Sequence, residues 1–81
     1  MNTPPPVSLD QLPTGATAVV QQLRGGKELT SRLAAMGLTE GVQLVVLQNA
    51  GRGPMLVSVR DTRIALGRGE AIKILVEKTG T

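Results

Sequence analysis

One 14-residue stretch, LTSRLAAMGLTEGV from Leu29 to Val42, most constrains what this chain of 81 residues can fold into. Its apolar residues Leu29, Leu33 and Met36 are four and three positions apart, which is the spacing of one face of an α-helix. The residues between them favour a helix without crowding that face. The pattern therefore predicts a short amphipathic helix over about residues 27–36.

The same stretch also contains its own stop signal. Gly37 follows the helix where a left-handed residue is favoured, and Leu38 comes next, where a Schellman cap places an apolar residue that folds back onto Leu33. Gly41 then occupies the third position of the turn Thr39–Val42, where a type II turn needs a positive φ. The sequence thus predicts a helix, a glycine stop, a glycine turn and a strand, in that order.

Short alternating segments on both sides of the helix indicate a mainly β domain. We predict a single helical turn with a capping box at Ser8, followed by five strands at 16–23, 42–48, 55–60, 63–66 and 72–77, with a tight reversal at Asp61 and Thr62. The residues expected to point inward are Leu9, Leu12, Ala18, Val20, Val42, Leu44, Val46, Met55, Val57, Val59, Ile72, Ile74 and Val76. Five short strands and one helix are typical of a small β-barrel, and periodicity alone does not separate an SH3-like barrel from an OB-fold.

The ends of the chain differ in composition from its centre. Residues 1–7 include three consecutive prolines and predict a flexible lead, residues 8–77 the domain, and residues 78–81 a frayed end. The longest unbroken apolar run, Leu44 to Leu47, is far shorter than the roughly 20 residues of a membrane-spanning helix. The N-terminus has no signal-peptide pattern. We expect a cytoplasmic protein with no direct membrane insertion.

The absence of several residue types excludes most kinds of chemistry. The chain has no histidine, no cysteine and no aromatic residue. Catalysis would lack the usual proton-transfer groups, and a metal site would lack its commonest ligands, so we expect no enzyme, no metal centre and no cofactor. Nucleic-acid binding is not expected either, because bases usually stack on aromatic side chains.

The remaining signal is apolar surface. If the inward parity holds, four aliphatic residues point outward from their strands: Val45, Leu47, Leu56 and Leu75. The helix or a barrel corner covers them, or they form an exposed patch of the kind that marks a partner site. Arg60 and Arg63 flank this set and would give it a charged rim. Met36 and Leu38, near the helix end, are candidates to extend it.

An ordered set of motifs resembles the ferrous iron transport protein A (FeoA) family. The residues that carry the resemblance run along most of the chain: Leu9-x-x-Leu12-x-x-Gly15, Gly25-Gly26, Arg32-Leu33, Met36-Gly37-Leu38, Thr39-x-Gly41, Leu44 with Val46, Pro54 with Met55, Val57 and Val59, Leu66-x-Arg68-x-Glu70-Ala71, and Ile74 with Val76. One departure is Glu40, where the family often has proline.

The resemblance implies an SH3-like barrel of five strands with one short helix between strands 1 and 2. It also implies a small accessory protein that assists a membrane ferrous iron transporter with a cytosolic GTP-binding domain (FeoB-like), without itself having to carry the ion. We hypothesise that the barrel face contacts this transporter and biases its conformation. The helix-turn around Arg32, Met36 and Leu38 is a second candidate contact.

Two alternatives stay open. SH3-like domains similar to this one form the C-terminal domain of metal-dependent repressors, so the chain is alternatively a stand-alone regulatory domain of that kind. Self-association through the outward apolar face is compatible with the accessory role and would make the protein a homo-oligomer.

Overall fold

The computed structural model describes residues 5–80, which form one antiparallel sheet of six strands. The elements are β1 (Val7–Ser8), a 3-10 turn (Leu9–Gln11), β2 (Thr17–Leu23), α1 (Lys27–Ala35), β3 (Gln43–Gln48), β4 (Met55–Val59), β5 (Thr62–Leu66), α2 (Arg68–Ala71) and β6 (Ile74–Thr79). The strand order across the sheet is β1-β6-β2-β3-β4-β5. The mainly β fold and the helix between the first two long strands are confirmed.

Within residues 5–80 the buried core consists of aliphatic side chains and one methionine, Met55. The strictly alternating residues of β3 and β4 are buried on one face, as predicted, and Ala18 and Val20 of β2 join them. Antiparallel strands with one buried face produce this alternation because successive side chains point to opposite sides. Without an aromatic ring, many small aliphatic residues must fill the interior.

Helix α1 ends as its sequence predicts. Leu33 is fully buried, and Leu29 and Met36 pack against the core from the same face. Gly37 has a φ of +97°, and its N–H donates to the carbonyl oxygen of Ala34 at 3.0 Å. After this cap, Gly41 has a φ of +89°. The predicted glycine stop and type II turn are both confirmed.

The N-terminal segment differs from the prediction in two ways. Ser8 makes no side-chain capping bond, so the predicted capping box is wrong, although the helical turn forms and buries Leu9. Val7 and Ser8 instead pair with β6, which gives a sixth strand where five were predicted. Of the predicted flexible lead, residues 1–4 lie outside the described residues.

The hairpin between β4 and β5 turns one residue earlier than predicted. Arg60 and Asp61, with φ of 49° and 67°, form the turn, and Val59 pairs with Thr62. Two consecutive positive φ angles are the signature of a type I′ turn, whose twist matches that of the strands. Thr62 is β-branched and resists a positive φ, so it begins β5 instead.

The predicted last strand begins too early. Helix α2 continues to Ala71, which is buried, so that Ile72 follows it in helical conformation and is 56% exposed. Ile72 was expected to point inward, and that prediction is wrong because helical rather than alternating spacing governs this position. Strand β6 extends to Thr79, two residues past the predicted domain end at 77.

Candidate docking surface

The outward faces of β3, β4 and β5 bring several predicted site residues together. Val45 pairs with Ser58, and Ser58 pairs with Arg63, which makes one row across the three strands. In the neighbouring row, Leu56 pairs with Ala65. Because directly paired residues of antiparallel strands point to the same face, Val45 and Leu56 share the outer face of the sheet.

A β-bulge places Leu47 beside Leu56. The register of β3 against β4 shifts between Val46 and Gln48, so Leu47 and Gln48 together lie opposite Leu56. Leu47 is 36% exposed, whereas Val45 and Leu56 are half-buried. We call Val45, Leu47 and Leu56 the aliphatic patch.

Arginine residues border the aliphatic patch on one side. Arg63 is exposed on β5, and Arg60 is exposed in the adjacent hairpin turn, next to Asp61. Arg60, Val45 and Ser58 line a shallow depression of about 500 Å³. Among residues 5–80 the one ion pair is Arg32 with Glu70, so both border arginines lack an ion-pair partner there. The patch therefore combines aliphatic surface with available positive charge.

Leu75 lies apart from the other predicted patch residues. It is half-buried on β6, where it pairs with Ser8 on one side and Gln22 on the other. Strand β2 separates β6 from β3, and the row that contains Val45 meets β6 at Thr79, four residues further along. The expectation that all four outward aliphatic residues form one surface is therefore wrong for Leu75.

The second predicted contact, at the end of α1, keeps one of its three residues as an exposed side chain. Leu38 is fully buried, so it cannot contact a partner; it is the apolar residue of the helix cap, and the prediction that it extends the patch is wrong. Met36 is half-buried against the core. Arg32 is exposed and donates to the Glu70 carboxylate, linking α1 to α2.

That ion pair borders a cleft that sequence reasoning missed. The cleft between α1 and α2 has a volume of about 450 Å³, and its charged lining residues are Glu28, Arg32, Glu70 and Lys73. Its lining has two positive and two negative side chains, so its net charge is zero. The residues come from segments nearly 40 positions apart, and no local pattern in the sequence announces such a pairing.

A polar cluster around Asn49, also missed, fixes the loop after β3. Asn49 Nδ2 donates to the carbonyl oxygens of Asp10 at 3.1 Å and Leu12 at 2.7 Å, and its Oδ1 accepts from Arg68 and from the Gly51 N–H. One amide side chain thereby joins three segments of the chain. The cluster holds the end of β3 in place, and with it the strand that bears Leu47.

The described residues contain no arrangement suited to metal chemistry or membrane crossing. No group of three or more acidic side chains within 5–80 is close enough to hold a metal ion. No helix in this range has the length and apolarity needed to cross a bilayer. Of the predicted site residues, those of the aliphatic patch and its arginine border are the ones that the structure brings together.

Comparison with known proteins identifies the family. The FeoA domain model matches residues 7–78. A ferrous iron transport protein A of Methanocaldococcus jannaschii is 38% identical over 63 residues, which are 78% of this chain and 76% of that protein. The crystal structure of an iron uptake regulatory protein (FeoA) superposes with a TM-score of 0.87 at 34% identity, covering 91% of this chain and 99% of that one.

A further structure confirms the type of barrel. FeoA of Stenotrophomonas maltophilia, solved with zinc and described as an SH3 domain protein, matches with a TM-score of 0.73 at 32% identity over 88% of this chain and 89% of its own. Structures of a manganese-dependent transcriptional repressor share the fold at less than 25% identity, a likeness that shows the fold alone. The chain has an SH3-like fold and belongs to the FeoA family of ferrous iron transport proteins.

Proposed function

We propose that this protein is a non-catalytic accessory of a membrane ferrous iron transporter, and that it binds the transporter's cytosolic GTP-binding domain or adjoining cytoplasmic surface. Family membership supports the link to ferrous iron transport. The absence of histidine and cysteine from the sequence supports a role by contact rather than by chemistry. Such a protein acts in the cytoplasm, where the GTP-binding domain lies.

The observation that carries this proposal is the position of Leu47. The bulge in β3 leaves this leucine partly exposed next to Leu56, and Arg63 lies in the neighbouring row of the same outer face. Partly exposed aliphatic side chains beside arginines that have no ion-pair partner within residues 5–80 have the composition of an interface, in which an apolar centre excludes water and a polar border selects the partner. We infer that the aliphatic patch is the centre of the contact.

Binding at this surface would change transport by shifting a conformational equilibrium. A bound protein can shift the equilibrium between two states of the transporter only by the difference in its affinity for them. Five- to 150-fold differences in affinity are typical of such coupling. A domain without histidine or cysteine can therefore regulate a transporter through contact alone.

A pair of charge substitutions with a matched control tests the proposal. Leu47→Glu and Leu56→Glu place a carboxylate in the patch and are expected to abolish co-purification with the transporter from detergent-solubilised membranes. Ile72→Glu is the control, because Ile72 is the more exposed aliphatic side chain and lies outside the patch. Circular dichroism and urea unfolding establish that each variant is folded.

Three results would contradict the proposal or its details. Co-purification of a folded Leu47→Glu, Leu56→Glu double variant at the wild-type level rejects the patch. A metal-dependent shift of DNA in a gel would favour the regulatory-domain alternative. A concentration-dependent dimer in sedimentation that the Leu47→Glu change dissociates would assign the patch to self-association.

A further inference from the structure

Strand β5 lies at an edge of the sheet. It pairs with β4 on one side, and no described strand lies on its other side. The exposed residues Thr62, Arg63 and Ala65 are on this strand. Whether the open side offers hydrogen-bonding groups depends on which residues direct their backbone N–H and C=O away from β4.

The hydrogen bonds between β3 and the segment that leads into β2 show which backbone groups of β3 face β2. The N–H of Val46 donates to the carbonyl oxygen of Ala16 at 2.8 Å, and its own carbonyl oxygen accepts from the Gly15 N–H at 2.7 Å. The backbone groups of Val46 therefore face β2. Backbone direction alternates along a strand, so those of Val45 face β4 and its partner Ser58.

The same alternation of backbone direction applies along β4 and β5, the edge strand. Since the backbone groups of Ser58 face β3, those of Val57 face β5 and bond to Ile64. The backbone groups of the residues on either side of Ile64, which are Arg63 and Ala65, must then face the open side. Neither residue has a backbone hydrogen bond to a turn, loop or cap among the described residues.

The turn of the β4–β5 hairpin independently indicates the same backbone directions in β5. A two-residue type I′ turn is closed by a hydrogen-bonded pair, here Val59 and Thr62. The backbone groups of Thr62 therefore face β4, and so do those of Ile64 and Leu66. The backbone groups of Arg63 and Ala65 face away from β4. We call the two N–H and two C=O groups of Arg63 and Ala65 the β5 edge.

The β5 edge has little of the usual protection against pairing. Natural edge strands are blunted by short length, charged side chains, proline, bulges or covering segments. Strand β5, with the sequence TRIAL, contains no proline, its register with β4 is unbroken, and its one charged side chain is Arg63. A weakly protected edge beside the partly exposed aliphatic patch is suited to strand addition, in which main-chain bonds give affinity and alternate side chains give specificity.

We propose that an extended segment of the partner protein adds to the β5 edge as an antiparallel strand, with an aliphatic residue opposite Ala65 and an acidic residue two positions later, opposite Arg63. This proposal rests on the proposed function, since it names the chemistry that the partner presents to the same surface. The aliphatic side chain extends the row of Leu56 and Ala65. The acidic side chain forms a cross-strand pair with Arg63.

Charge complementarity favours this occupant over a second copy of the chain. Two β5 edges that bond through the same residues would place each Arg63 opposite the Ala65 of the other copy, which leaves both arginine charges uncompensated. An acidic partner strand neutralises Arg63 and lies close to Arg60. The aliphatic patch and the β5 edge then form one continuous docking surface.

A synthetic peptide tests the edge without the transporter. The probe is a blocked peptide, Thr-Thr-Val-Thr-Asp-Thr-Thr, added at up to millimolar concentration to the full ¹⁵N-labelled chain. The amide signals of Arg63 and Ala65 are expected to shift and to exchange more slowly with solvent. A peptide with Lys in place of Asp is expected to bind about three- to tenfold more weakly. Arg63→Glu is expected to reverse that preference.

A proline substitution provides the matched variant. Ala65→Pro removes an edge N–H that β4 does not use, so the hairpin keeps its bonds while the peptide loses a donor. Ala65→Val retains the donor and is expected to bind the peptide within twofold of the wild type. Protection of the Ile64 amide shows that the proline variant is folded. Equal binding of the peptide by a folded Ala65→Pro overturns the proposal, as does the absence of any shift at Arg63 and Ala65.

The same two variants connect the edge to the transporter. Co-purification with Ala65→Val but not with Ala65→Pro supports strand addition, and co-purification with both at the same level overturns it. If the wild type retains no transporter, the proposed function fails, while the peptide measurement still decides whether the edge accepts such a strand. A dimer formed by the wild type and lost in Ala65→Pro would assign the edge to self-association and overturn the proposal.

Discussion

The N–H of Leu38 donates to the carbonyl oxygen of Leu33 at 2.9 Å, which closes the C-terminal cap of α1. Both side chains are fully buried. The hydrogen bond can form because Gly37, between them, turns the chain back with a left-handed φ. This cap fixes where the chain leaves the helix and enters the turn that leads to β3.

The left-handed backbone conformation of Gly37 means that any side chain at this position should lower the stability of the protein. Gly37→Ala is expected to lower the free energy of unfolding by about 1–2 kcal/mol, because a residue with a Cβ resists the left-handed region. A Cβ there would meet Val59 Cγ1 at an ordinary 3.7 Å, so the cost is not steric. Urea unfolding measures the change.

The control for this prediction is Gly69→Ala in α2. Gly69 has no positive φ, and no atom lies within 4 Å of its added Cβ. Alanine is favoured over glycine in a helix, so this variant is expected to be neutral or more stable by up to about 1 kcal/mol. Equal losses in the two variants would show that backbone conformation does not explain the role of Gly37.

A second glycine is required for a different reason, close packing against α1. A Cβ on Gly25 would lie 2.8 Å from Leu29 Cβ and 2.9 Å from its Cγ, too close for either to remain in place. Gly25→Ala is therefore expected to displace the start of the helix and to lower stability by about 1–3 kcal/mol, the usual cost of overpacking.

The adjacent residue is the natural comparison for Gly25. A Cβ on Gly26 would meet no atom within 4 Å, and this glycine has an ordinary φ of −68°. Gly26→Ala is expected to cost less than about 1 kcal/mol, since it changes only the N-cap preference of the helix. Thermal unfolding of the two variants side by side separates the steric effect from the removal of a glycine.

The Asn49 cluster predicts a large effect from a single loop residue. Asn49→Ala leaves the carbonyl oxygens of Asp10 and Leu12 and the side chain of Arg68 without this partner, and we expect a loss of about 2 kcal/mol. Asn49→Asp is expected to cost at least as much, because it points a carboxylate oxygen at a carbonyl 2.7 Å away. Gln48→Ala, one residue earlier and exposed, should change the stability by less than about 0.5 kcal/mol.

Local patterns in the sequence were sufficient to predict the helix cap and most of the core, although they placed Ile72 inward and left out Ile64 and Leu66, which are buried. Leu33, Gly37 and Leu38 lie within six consecutive residues, and their roles follow from helix-cap geometry alone. The alternation of β3 and β4 likewise depends on nothing beyond the strand itself. The resemblance to the FeoA family supplied the type of barrel, which periodicity left open.

Features that depend on distant segments could not be predicted in this way. The separation of Leu75 from Val45 follows from the strand order, which places β2 between their strands. The exposure of Ile72 follows from the extension of α2 by one residue. The role of Asn49 needs partners more than 15 positions away in both directions. Each depends on how the elements assemble, which a local pattern does not contain.

The alternating direction of the backbone N–H groups along β5 predicts an alternating pattern of amide exchange in the free protein. The N–H groups of Thr62, Ile64 and Leu66 face β4 and are expected to be protected, whereas those of Arg63 and Ala65 face solvent. Neighbouring residues of one strand have the same local stability. A difference between their amide exchange rates therefore reports whether each N–H is hydrogen-bonded.

Exchange followed by NMR checks this pattern directly. Arg63 and Ala65 should exchange at least about tenfold faster than Ile64, because opening of the hairpin is not needed to expose them. Slow exchange at all five residues would mean that another segment or a second copy covers the β5 edge, and dilution separates these two causes. Slow exchange that persists on dilution would remove the open edge on which strand addition depends. Fast exchange at Arg63 and Ala65 alone leaves two donors and two acceptors free for an incoming strand, next to the leucines of the aliphatic patch.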